Sequence, residues 1–141
     1  MHRRTPSYLL GCLVILALFA IAPLPVRAQS DPIEGPWQQI QSNAGACPTC
    51  RLAIEPDGQR LVVTANNGWS ATVVARPHGD AVDASGNGRW SQGVGGTLAG
   101  KAFHVEFVLK QQRLHMSMTM DMAGGRRWIV RAMYGRVWFG A

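Results

Sequence analysis

Four methionines occupy alternate positions in the run Leu114-His115-Met116-Ser117-Met118-Thr119-Met120-Asp121-Met122. Thioethers are soft donors suited to Cu(I), so Met116, Met118, Met120 and Met122 form a candidate soft-metal site. The same spacing puts all four on one face of a β-strand, where they would fill a core instead. The preceding run, Ala102–Leu109, weighs between the two. With Gln111-Gln112 as the turn, Leu109 faces Leu114, Phe107 faces Met116, Val105 faces Met118 and Phe103 faces Met120. Methionine–aromatic contacts of this kind contribute about 0.3–1.5 kcal/mol each. On this register His115 points to the other face, away from the sulfurs. His104 pairs with Thr119, four positions from His115 and so about 13 Å from it, too far for shared chelation. Core packing is the stronger reading, and a copper-handling strand is the alternative.

Cys47-Pro48-Thr49-Cys50 is the second candidate centre. A pair of cysteines with two residues between them reads first as a small structural disulfide in a loop. It reads second as a thiol–disulfide exchange centre. Such a centre draws on a helix N-terminus to lower its thiol pKa, and the short, proline-bounded Arg51–Pro56 is a poor helix. As a zinc site the pair is only half a ligand set. Heme attachment is excluded because Arg51 stands where a histidine is required.

No other run names a reaction. Gly95-Gly96-Thr97-Leu98-Ala99-Gly100-Lys101-Ala102 has phosphate-loop spacing, but Ala102 replaces the magnesium-binding hydroxyl and a strand-like run follows. His78-Gly79-Asp80 reads as turn chemistry, and no serine stands in a nucleophile elbow. The residues imply no cofactor and no catalytic set. Five tryptophans remain, at 37, 69, 90, 128 and 138. Trp37, Trp69, Trp90 and Trp128, with Arg131, are the candidate ligand-lining residues, set against a plain packing role.

The elements that must position these residues begin after a leader. His2, Arg3 and Arg4 precede an apolar stretch over Tyr8–Ala22, followed by Pro23-Leu24-Pro25 and then Val26-Arg27-Ala28. This is the form of a secretory signal peptide over residues 1–28, cleaved after Ala28. The apolar stretch is shorter than the ~20 residues that span a bilayer, so no stable membrane anchor is expected after cleavage. A periplasmic or secreted location follows, with residues 29–141 as one domain. Losing Arg3, Arg4 and Arg27 reduces the formal charge from +6 to near +3. That is too little, and too scattered, for a nucleic-acid partner.

The domain reads as all-β. Strands are expected near Trp37–Ser42, Arg51–Glu55, Gln59–Ala65, Trp69–Arg76, Arg89–Gln92, Lys101–Leu109, Arg113–Met122 and Arg127–Trp138, the last bending or breaking at Gly135. Pro56-Asp57-Gly58, Asn66-Asn67-Gly68, Ser85-Gly86-Asn87-Gly88 and Gly124-Gly125 supply turn chemistry between several of them. About eight short antiparallel strands joined by tight turns can close into a single up-and-down β-barrel.

Gly35-Pro36-Trp37, opening the first strand, resembles the Gly-x-Trp start of lipocalin-like (calycin) barrels. The resemblance implies that a late-strand arginine, Arg131 or Arg136, packs over Trp37 and closes one barrel end. It is confined to these short features. Together with the many tryptophans, the architecture suggests an exported, non-enzymatic barrel. Its partner would be a small hydrophobic or aromatic ligand, or another exported protein. Copper handling by the methionine strand and redox chemistry at Cys47/Cys50 are the alternatives.

Overall fold

The computed structural model describes residues 31–138, so the expected leader lies outside the described residues. The chain forms eight strands: β1 (Gly35–Ser42), β2 (Arg51–Asp57), β3 (Arg60–Ala65), β4 (Trp69–His78), β5 (Ala81–Trp90), β6 (Ala102–Lys110), β7 (Arg113–Asp121) and β8 (Arg127–Arg136). Each is antiparallel to the next, and β8 returns to pair with β1, closing an up-and-down barrel. Closure leaves no unpaired sheet edge. None of the helices among the described residues is long and apolar enough to cross a membrane.

Alternation explains the walls. Along β7, Leu114, Met116, Met118 and Met120 are buried while Arg113, His115 and Asp121 are exposed. In β6, Phe103, Val105 and Phe107 are buried between exposed His104, Glu106 and Val108. The β6–β7 register pairs Leu109 with Leu114, Phe107 with Met116, Val105 with Met118 and His104 with Thr119, as the sequence pattern predicts. Its turn, Gln111-Gln112, carries positive φ at both residues (50° and 60°).

The fifth strand corrects one expectation. Ser85-Gly86-Asn87-Gly88 is not a turn, and the strand is not confined to Arg89–Gln92. β5 runs from Ala81 to Trp90 straight through these residues, pairing with β4 on one side and β6 on the other. The glycines are there for close approach. A Cβ at Gly86 would collide with the Thr72 carbonyl, and one at Gly88 with the Phe103 ring and the Ser70 carbonyl. Glycine within a strand often marks such a place. The last strand likewise continues through Gly135 to Arg136. The irregularity falls on its partner, where β1 bulges between Gln39 and Gln41 and leaves Ile40 half-exposed.

The two barrel ends differ. At one end the chain enters through Ile33 and Trp37, both fully buried, and the indole Nε1 of Trp37 donates to the Ile33 carbonyl at 2.9 Å. The Arg136 guanidinium lies over the Trp37 ring, 3.9 Å from its centre, and also donates to the carbonyls of Pro32 and Glu34. Of the two late-strand arginines, Arg136 is therefore the one that caps this end. The longer connections, residues 43–50, 91–101 and 122–126, gather at the opposite end with the Asn66–Gly68 turn.

Candidate functional site

The connection-bearing end opens into the barrel. A cavity of about 350 Å³ there is lined by Trp69, Trp90, Met116, Met118, Met120, Val130, Ala132 and Tyr134, with Cys47, Cys50, Leu98 and Trp128 among the residues that bound it. Pairing geometry produces this lining. Trp69 on β4 sits opposite Trp90 on β5. Met116, Met118 and Met120 on β7 sit opposite Ala132, Val130 and Trp128 on β8. Trp69 is further fixed edge-on against Phe103, with ring centres 5.5 Å apart. At the mouth Trp128 is 40% exposed. A largely apolar concavity near the lower end of the ~300–1,000 Å³ range of ligand pockets suits one small molecule.

Besides Gln39, Ser42 and Asn67, two buried polar groups interrupt the apolar lining. The indole N–H of Trp90 is buried with no hydrogen-bond partner. The hydroxyl of Tyr134, itself 3% exposed, has only the Met116 sulfur at 3.9 Å. Burial pushes the Tyr134 hydroxyl pKa up to about 12, so it stays a neutral donor. A buried donor without an oxygen or nitrogen acceptor is costly. Native proteins rarely leave such groups unpaired. Trp90 and Tyr134 are both among the residues that bound the cavity.

The loop that carries the cysteines is strapped across the mouth from both sides. Asn43 donates to the Ile129 carbonyl and accepts from the Arg131 N–H, tying the loop to β8. Asn66 donates to the Thr49 carbonyl and accepts from the Arg51 N–H, tying it to the β3–β4 turn. Cys47 and Cys50 are disulfide-bonded, with Cα atoms 5.3 Å apart. Arg51 immediately opens β2, so no helix N-terminus follows the second cysteine. The sequence marks Asn66 only as turn chemistry and gives Asn43 no role; each directly follows the last residue of a strand.

The residues singled out from sequence therefore divide. Trp69, Trp90, Trp128, Met116, Met118, Met120, Cys47 and Cys50 come together around one cavity. Trp37 does not, because it packs under Arg136 at the opposite end. Arg131 faces outward on β8, exposed and opposite Ser117. It borders a shallow groove of about 510 Å³ on the outer wall with Glu106, Val108, His115 and Met133. Met122 has left the strand and lies in a surface depression with Arg126, Arg127 and Trp128. The four methionines thus do not share one space, and His115 is on the outer face. Among the described residues no cluster of three or more His, Cys, Asp or Glu side chains is arranged to hold a metal ion.

No protein-family model, curated protein or solved structure matches this chain.

Proposed function

We propose that this chain is an exported, lipocalin-like binding protein that takes one small apolar or aromatic molecule into the mouth of its barrel. The observation that carries this reading is the 350 Å³ cavity walled by tryptophan and methionine, bounded by two residues whose buried donors lack oxygen or nitrogen acceptors. Methionine suits such a wall because its flexible, polarizable side chain adapts to differently shaped ligands. Packing supports the methionine strand as lining, since each of Met116 and Met118 has an apolar partner directly across on β6.

The test is titration of intrinsic tryptophan fluorescence with a neutral aromatic probe, N-phenyl-1-naphthylamine. A saturable change at one probe per chain is expected. It should be lost in Ala132→Phe, which fills the cavity from β8. Thermal melting checks that this variant folds. No saturable change in a folded wild-type protein overturns the reading. So does binding that Ala132→Phe leaves intact.

A further inference from the structure

The acidic residues on this barrel are sorted by end. Of the eight acidic residues, only Glu106 and Asp121 lie away from the capped end. The others sit on the approach to β1 or beside the β2–β3 and β4–β5 turns, all at that end. That end also holds Arg60, Arg76, Lys110, Arg113 and Arg136, whereas basic residues outnumber acidic ones at the mouth. Arg51 follows Cys50, Arg89 precedes Trp90, and Arg126 and Arg127 precede Trp128, so each stands beside a residue that bounds the cavity. Lys101 joins them, because its carbonyl accepts the backbone N–H of Trp90 at 2.9 Å. Of these, among the described residues, only Arg127 has an acidic side chain in contact, Asp121 at 3.3 Å. Arg51, Arg89, Arg126 and Arg127 are exposed and Lys101 is half-buried, so together they form a positive collar around the opening.

Resting on the binding function proposed above, we infer that the ligand is an apolar acid: a single short chain or ring system ending in a carboxylate or a comparable anionic group. Two independent features agree on this. Inside, Trp90 bounds the cavity at its mouth end and carries a buried indole N–H with no acceptor, a group that can only donate and so matches an acceptor-bearing head. Outside, the collar raises the local concentration of anions at the mouth and repels cations of the same shape. A charge buried deep in the methionine wall would lose its hydration without a partner. The head therefore stays at the mouth end, at the level of Trp90, with the apolar part toward Met118 and Met116. A volume of 350 Å³ admits one chain and not the two of a diacyl lipid.

The test compares probes that share a tail and differ in charge: decanoate, 1-decanol and decyltrimethylammonium, each displacing N-phenyl-1-naphthylamine from the full mature chain. Decanoate should displace at a concentration about tenfold or more below that of decanol, the cation should be weakest, and added salt should narrow the gap. Lys101→Gln combined with Arg126→Gln should weaken decanoate severalfold and leave decanol unchanged. Equal displacement by acid and alcohol overturns the inference while leaving the cavity reading standing. An acid preference that ignores both salt and the double variant overturns the role of the collar. If none of the amphiphiles displaces a bound aromatic probe, the apolar acid is rejected. If the aromatic probe itself does not bind, both readings fall.

Discussion

The guanidinium of Arg136 lies 3.9 Å from the centre of the Trp37 ring and hydrogen-bonds the carbonyls of Pro32 and Glu34. The last residue of β8 thereby fastens the segment that enters β1, some hundred positions earlier in the chain. The arginine is only partly buried, and its desolvation lowers its pKa from the usual arginine value. Cation–π contact is worth about 0.5–2 kcal/mol. Hydrogen bonds from a charged donor add about 1.5–3 kcal/mol each where they are shielded from water.

Replacing Arg136 with Ala should therefore lower unfolding free energy by about 2–4 kcal/mol. Arg136→Lys should recover less than half of that, because an ammonium cannot both cover the ring and reach two carbonyls. Urea denaturation of the two variants measures the difference. Binding of an aromatic probe at the far end should be little changed in either variant while it remains folded.

Gly88, like Gly86, is a place where β5 tolerates no side chain. Gly88→Ala would drive a methyl group into the Phe103 ring and the Ser70 carbonyl, so the two strands must separate. A loss of about 2–3 kcal/mol is expected, at the upper end of ordinary overpacking. Gly95→Ala, with nothing near its Cβ position, is the control and should be close to neutral. Thermal melts of both variants decide the matter.

The Gln111-Gln112 turn holds two non-glycine residues at positive φ. That conformation costs a side-chain-bearing residue about 1–2 kcal/mol. Hairpin turns of this kind favour Asn-Gly. The double substitution Gln111→Asn and Gln112→Gly should stabilise the barrel by about 1 kcal/mol or more, visible as a raised denaturation midpoint with an unchanged slope.

Stability should fall in alkaline solution through Tyr134. Its hydroxyl has a pKa near 10 when the chain unfolds and about 12 in the folded barrel. The native state therefore holds this proton more tightly, and the stabilisation is complete below pH 10. Above that value the unfolded chain releases the proton first, so stability drops through the interval up to pH 12 by about 2–3 kcal/mol. Tyr134→Phe should remove this part of the pH dependence. Tyr134 is the sole tyrosine beyond residue 28, so phenolate absorbance reports it directly.

Much of this architecture was legible before any coordinates. Period-two alternation in 102–109 and 113–122 fixes which residues face inward, and the turn between them fixes the register, which the strand pairs reproduce. What escaped was β5, because Ser85-Gly86-Asn87-Gly88 has the composition of a turn. Glycine chosen for φ and glycine chosen for close approach are the same letter, and only the neighbouring Thr72 carbonyl and Phe103 ring tell them apart. The site was legible as a set of residue types. Its grouping was not, since the separation of Trp37 from Trp69, Trp90 and Trp128 depends on which barrel end each strand terminus reaches. The straps at Asn43 and Asn66 bond to backbone 86 and 17 positions away, a relation that no local pattern encodes.

A closed barrel has as many seams as strands, and this one is unevenly stitched. β4 and β5 are joined along ten residue pairs, whereas β1 and β2 share only four, Gly35–Gln38 against Ile54–Arg51. The side-chain amide of Gln38 reaches on to the Pro48 and Cys50 carbonyls, and the bonded cysteines hold the loop that connects the two strands. Opening of a folded protein proceeds where the fewest protected bonds must break. The β1–β2 seam is that place, so the first leak in this structure is beside the mouth, and the small covalent ring of Cys47 and Cys50 acts as its clasp.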